Sequence, residues 1–196
     1  MKSLITLSTL MLFTSITSGV MAQGAEPVVK ALATAEDPTQ KTILVGRAPA
    51  GGMVITFELE PAKTMWMAMG KPAKWMSHAP GKGEVFHVEV KPVDPRSKTR
   101  IAYADVAFEA VNRDNKRTVK LALHPMWGGS GLHYAANSAL AGDGSYRATV
   151  TVNAPTFSRD IKDKEMWMQS ARAQFHFKLA DGKLVEVSEA AEDAQK

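Results

Sequence analysis

Cysteine is absent from the 196 residues, so a disulfide framework, a thiol nucleophile and a thiolate metal site are all closed to this chain. Aromatic residues make up only 7% of it. No apolar run reaches the roughly 20 residues that a membrane-spanning helix needs. Charge of one sign is weak as well, with 24 bases against 20 acids and a net +4. That is too mild a balance for a nucleic-acid partner. No phosphate-binding loop or dinucleotide fingerprint occurs, and Gly128-Gly129-Ser130-Gly131-Leu132 lacks the glycine spacing of a nucleophile elbow. The acids are scattered rather than paired, so an enzyme is not expected.

What remains is a chain that is 45% apolar, with ten prolines and fourteen glycines spread along it. Such punctuation predicts many short strands and tight turns. Lys2, the apolar stretch from Leu4 to Ile16 and the small-residue ending Val20-Met21-Ala22 read as a secretion signal over residues 1–22. Residues 23–41 show little periodicity and are expected to form a flexible leader, with the folded domain over 42–187 and a frayed tail over 188–196. With a secretion signal and no membrane span, the mature product is expected to be soluble and exported.

Within the domain the hydrophobic period is two, as for strands with one buried face. Met53, Ile55, Phe57 and Leu59 share one side of a strand, and Phe86, Val88 and Val90 alternate with His87, Glu89 and Lys91. The same alternation runs through Val119 to Leu123, Tyr146 to Val152 and Phe175 to Leu179, and more weakly through Ile101 to Val111. Asp181-Gly182 predicts a two-residue hairpin turn. The expected fold class is all-β, an immunoglobulin-like antiparallel β-sandwich.

The chemistry-bearing residues are sulfur and nitrogen donors. Every tryptophan adjoins a methionine, in Met65-Trp66-Met67, Trp75-Met76, Met126-Trp127 and Met166-Trp167-Met168. Thioethers fill core gaps, but they are also soft ligands suited to copper(I), and Met65, Met67 and Met69 alternate along one side of an extended segment. His87 and Glu89, two apart on a strand, point the same way. A glycine-rich bend between Met126 and His133 lets the chain fold back and bring these two together.

The chain resembles the periplasmic ferrous-iron-transport family, whose members accompany an iron permease of the inner membrane. The resemblance extends from Gly51-Gly52-Met53 to Leu179-Ala180 and is carried by Pro125-Met126, by Gly131-Leu132-His133-Tyr134-Ala135-Ala136-Asn137, by the His87-x-Glu89 strand and by Gly142-Asp143-Gly144-Ser145-Tyr146. It implies a homodimer that binds copper and serves iron uptake, with a redox role toward iron left open. It also implies His87, Met126 and His133 as metal ligands, with Glu89 beside them. The family's third histidine falls where this chain has Phe157-Ser158-Arg159-Asp160, so either the site has only two imidazoles or Asp160, His124, His78 or an extra methionine, Met67 or Met69, completes it. Copper ion and iron ion are the expected cofactors. A copper chaperone or copper-resistance protein is the competing reading, and an exported adhesion module that binds no metal is a third. Copper(II) binding is expected to weaken below the ordinary histidine value of about 6.5, because a donating imidazole must be neutral.

Overall fold

The computed structural model describes residues 27–189, and the signal segment 1–22 and the tail beyond Glu189 lie outside the described residues. Its strands are β1 (Val29–Glu36), β2 (Ile43–Ala50), β3 (Met53–Pro61), β4 (Met65–Met69), β5 (Lys74–His78) and β6 (Phe86–Val93). They are followed by β7 (Val106–Asn112), β8 (Thr118–Gly128), β9 (Gly131–Ser138), β10 (Gly144–Val152), β11 (Ala171–Ala180) and β12 (Lys183–Ser188). A 3-10 turn, Ile161–Asp163, sits between β10 and β11. No helix among the described residues is long and apolar enough to cross a membrane.

Ten strands form one antiparallel ladder in the order β1-β12-β11-β10-β7-β8-β9-β6-β3-β2, and β4 pairs with β5 apart from it. The ladder turns back on itself at β8. Residues from Thr118 to Leu123 pair with β7, whereas His124 to Gly128 pair with β9. Pro125, which has no N–H to give to a ladder, stands at the changeover. A strand shared between two sheets in this way makes the corner of a sandwich, and the expected antiparallel β-sandwich is the fold.

The alternating residues named from the sequence fill the space between the sheets. Met53, Ile55, Phe57 and Leu59 are all buried. The Phe57 ring lies 5.2, 5.5 and 5.8 Å, centroid to centroid, from Phe108, Phe175 and Phe177 of the opposite sheet. Tyr146 stacks on Phe177 at 4.6 Å. Buried phenols must find partners. Tyr134 Oη donates to Ile101 O and accepts from Ala104 N, each at 3.1 Å, while Tyr146 Oη accepts from Ala141 N and donates to Gly142 O.

Three boundaries differ from the sequence reading. The leader expected over 23–41 contains β1, which pairs with β12 from Val29↔Ser188 onward. Its side chains are mostly exposed, so backbone hydrogen bonds hold it and no hydrophobic period announces it. Ser188, assigned to the frayed tail, is buried, and its hydroxyl accepts from His176 N at 2.7 Å and donates to His176 O at 3.1 Å. The strand expected from Ile101 begins only at Val106, because Ile101 and Ala104 are tied to Tyr134 and the intervening Tyr103 takes a positive φ of 54°. The Asp181-Gly182 turn is as expected, with both residues at positive φ.

The sandwich closes where β2 crosses β11 and β12. A Cβ on Gly46 would lie 2.9 Å from Phe175 Cδ1 and 2.9 Å from Ser188 Cβ. Overpacking of this kind costs ~1–3 kcal/mol, so Gly46→Ala is expected to lower the denaturation midpoint. A midpoint equal to that of the parent protein would show that the crossing is looser than described.

Candidate metal centre

β6 lies between β3 and β9, and its register places Glu60 and Asn137 on either side of His87, with Glu58 and Ala135 on either side of Glu89. His133, two residues from Ala135, shares that face, and Met126 stands directly across from it in β8. Phe86, Val88 and Val90 take the core side, so His87, Glu89 and Lys91 point away from the core. They are buried all the same, with exposures of 0%, 3% and 7%. The face is covered in part by the chain leaving β3, where Lys63 N donates to Asn137 Oδ1 at 3.2 Å and accepts at its carbonyl from Asn137 Nδ2 at 2.9 Å. It is covered also by the β8–β9 turn, from which Ser130 Oγ donates to Glu89 Oε1 at 2.9 Å.

His87, Glu89 and His133 offer ligand atoms within 4.8 Å of one another. The two imidazole rings are nearly perpendicular, with centroids 6.5 Å apart. Their tautomers follow from their neighbours. Asn137 Nδ2 is committed to a carbonyl, so Asn137 Oδ1 faces His87 Nδ1 at 2.8 Å and must accept its proton. His133 Nδ1 lies 2.9 Å from Gly131 O, which can only accept. In the neutral rings the Nε2 atoms are therefore the ones that carry the lone pairs, and both are buried without a hydrogen-bond partner. An outer partner on Nδ1 and a free Nε2 is the arrangement in which histidine ligates metals.

Glu89 completes the cluster. Burial alone would raise its pKa, but hydrogen bonds from Glu60, Lys91 and Ser130 and the neighbouring His133 outweigh that and bring it to about 2. Lys91 Nζ lies 2.7 Å from Glu89 Oε1 and also pairs with Glu58, so Oε1 is occupied while Oε2 faces His133 Nε2 at 3.6 Å. Burial, followed by the hydrogen bond to Glu89, raises Glu60. Glu60 Oε1 also meets Lys63 Nζ at 2.5 Å and His87 Nε2 at 3.9 Å. Two buried imidazoles, a carboxylate and a facing thioether make a mixed hard and soft donor set that fits copper in either oxidation state or iron.

The other candidates fall elsewhere. Asp160 caps the 3-10 turn, its Oδ1 lying 3.5 Å from Lys162 N, and it is not in the donor cluster. Met67, Met69, His78 and His124 line a separate cavity beside Asn137. Met166 and Trp167 serve the β10–β11 loop, where Trp167 Nε1 donates to Gly52 O at 3.3 Å and Arg96 reaches Met166 Sδ. Sequence reasoning missed Glu58, Glu60, Lys91, Ser130 and Asn137, because it took the polar side of β3 and β6 for a solvated surface. Asn137 alone carried a signal, as the last residue of the His133-to-Asn137 motif.

Fold and donor set together define an antiparallel sandwich with a buried histidine–carboxylate centre on the outer face of one sheet. Residues 84–180 match the family described as Fe2+ transport protein, and by that segment, which runs from just before β6 to the end of β11, the chain belongs to this family. Among solved structures it is similar to FetP of uropathogenic Escherichia coli strain F11, at 20% identity and a TM-score of 0.59, covering 71% of this chain and 97% of that one. It is similar also to copper-reconstituted P19 of Campylobacter jejuni, at 20% identity and a TM-score of 0.58, covering 72% and 98%. No curated protein matches the chain.

Burial pushes the His87 imidazole down to about 4, against some opposition from its Asn137 hydrogen bond. In the unfolded chain the ordinary value of about 6.5 applies, so on acidification the unfolded chain takes the proton first. The stability due to neutral His87 is complete above about pH 6.5 and drains away as pH falls toward 4, by up to ~3 kcal/mol. The acid limit for donation by His87 accordingly lies nearer 4 than the 6.5 expected from the sequence. Urea midpoints of the metal-free protein should fall between pH 7 and pH 4.5, and less steeply in His87→Leu. Equal slopes in the two proteins would contradict this.

Proposed function

We propose that the protein is a periplasmic metal-binding protein of iron uptake, working with an inner-membrane permease and holding its metal at His87, Glu89 and His133 with Met126 as the facing soft donor. The observation that carries this is the pair of buried, unpartnered Nε2 atoms whose Nδ1 positions are already satisfied. Such atoms cost free energy when left without a partner, by ~1–3 kcal/mol each, and a cation placed among them supplies one. Membership of the Fe2+ transport protein family supports the iron-uptake role. The related FetP and P19 proteins have been obtained with copper bound, which supports copper as an occupant.

Bound copper supplies a one-electron couple and a Lewis-acidic centre. The residues of this chain do the rest. Asn137 and Gly131 O orient the imidazoles, Glu60, Lys91 and Ser130 hold Glu89 ionised, and the connection after β3 screens the face from solvent. This is the equipment of a carrier or redox partner rather than of a turnover enzyme. Secretion by the 1–22 signal and homodimerisation belong to the same proposal. The iron-transport family match disfavours the copper-chaperone alternative.

Metal analysis of the mature protein after loading with copper(II) should give about one ion per chain. His133→Ala should weaken that binding at least tenfold while the circular dichroism of the sandwich persists. Asn137→Ala, which frees the His87 ring to turn, should weaken it ~10–100-fold. Unaltered copper affinity in both variants would refute the assignment.

A further inference from the structure

The β4–β5 hairpin carries thioethers that the first centre leaves unused. Met65, Met67 and Met69 alternate along β4 and so share a face, with His78 directly across from Met65 in β5. All four line an open cavity of about 440 Å³, whose lining also includes His124 of β8 and Asn137 of β9. The thioethers step outward from the interior, Met65 being buried, Met67 half-buried and Met69 exposed. The hairpin lies outside the segment 84–180 that matches the iron-transport family.

The chemistry of this lining is selective. Among the described residues it contains no lysine or arginine, and its one acid, Glu84, already accepts from Gly81 N at 2.6 Å. Divalent hard cations call for carboxylates, so a wall of neutral donors suits a monovalent ion. Among the described residues the nitrogen and oxygen donors of the cavity do not gather into a cluster like that of His87, Glu89 and His133, so the thioethers would have to supply the coordination. Three thioethers with an imidazole are the donors that select copper(I).

We propose that this cavity is a second metal site, specific for copper(I), in which Met65, Met67 and Met69 donate sulfur and His78 donates nitrogen. One side chain separates it from the first centre, for Asn137 lines the cavity and also accepts the His87 Nδ1 proton. Trp66 and Trp75 lie on the opposite face of the hairpin, exposed, and give the site a fluorescence reporter.

The test titrates the mature protein anaerobically with copper(I), in competition with a chromogenic copper(I) chelator, and follows tryptophan emission. In a His87→Ala/His133→Ala background, one copper(I) equivalent should still bind and change the emission. Adding Met67→Leu and Met69→Leu, which keep the apolar volume, should weaken that equivalent at least tenfold. In the otherwise unaltered protein the two leucine substitutions should leave copper(II) binding as it was. The proposal is overturned if the histidine-deficient protein binds no copper(I), or if the leucine substitutions change nothing. Loss of copper(II) binding by the parent protein would sink the first centre and leave this test standing.

Discussion

A histidine buried with one nitrogen satisfied and the other bare is the constraint around which this sandwich is organised. His87 and His133 each meet that description, and they meet it on the side of a sheet that the alternation of β6 would hand to water. Removing imidazoles from solvent is unfavourable unless something answers the free lone pair. The surrounding polar groups do not answer it but prepare for it. Asn137 and Gly131 O take the protons on the far nitrogens, and Lys91 draws Glu89 into its ionised form with one oxygen turned inward.

Organisation of this kind links the site to the fold rather than to loops alone. Glu58 and Glu60 come from β3, whose other face holds Phe57 at the centre of the core, and His87, Glu89 and Lys91 come from β6, whose other face is Val88 and Val90. Each strand therefore anchors a polar group of the site on one side with close-packed apolar residues on the other. Positions set by a packed core are more reproducible than positions on mobile connections. Among the described residues, Ser130 and Lys63 reach the centre from outside the strands, Ser130 at Glu89 and Lys63 at Glu60 and Asn137, and neither is itself a ligand.

Much of this was legible in the sequence, and the remainder was hidden for identifiable reasons. Period-two alternation marked β3, β6, β8, β10 and β11, because one face of each is apolar and buried. β1 escaped notice, since its side chains stay in water and its backbone alone binds it to β12. His87, Glu89, Met126 and His133 were chosen from spacing and from family resemblance, and the ladder sets the first two two residues apart on one strand and the last two opposite each other. Lys91, Glu58 and Glu60 were not, because a charged residue on the polar side of a strand reads as a solvated surface. The path of the chain after Pro61 and the β8–β9 turn, which no local pattern encodes, reveal that this surface is covered.

The short link between Gly128 and Gly131 works as a spacer gauge. Because side chains alternate sides along a strand, lengthening that link by a single residue and sliding β9 one notch against β8 and β6 would turn His133 inward among the phenylalanines and bring Tyr134 out in its place. Relatives that differ in the length of this bend would therefore differ in metal chemistry even where every donor residue was retained.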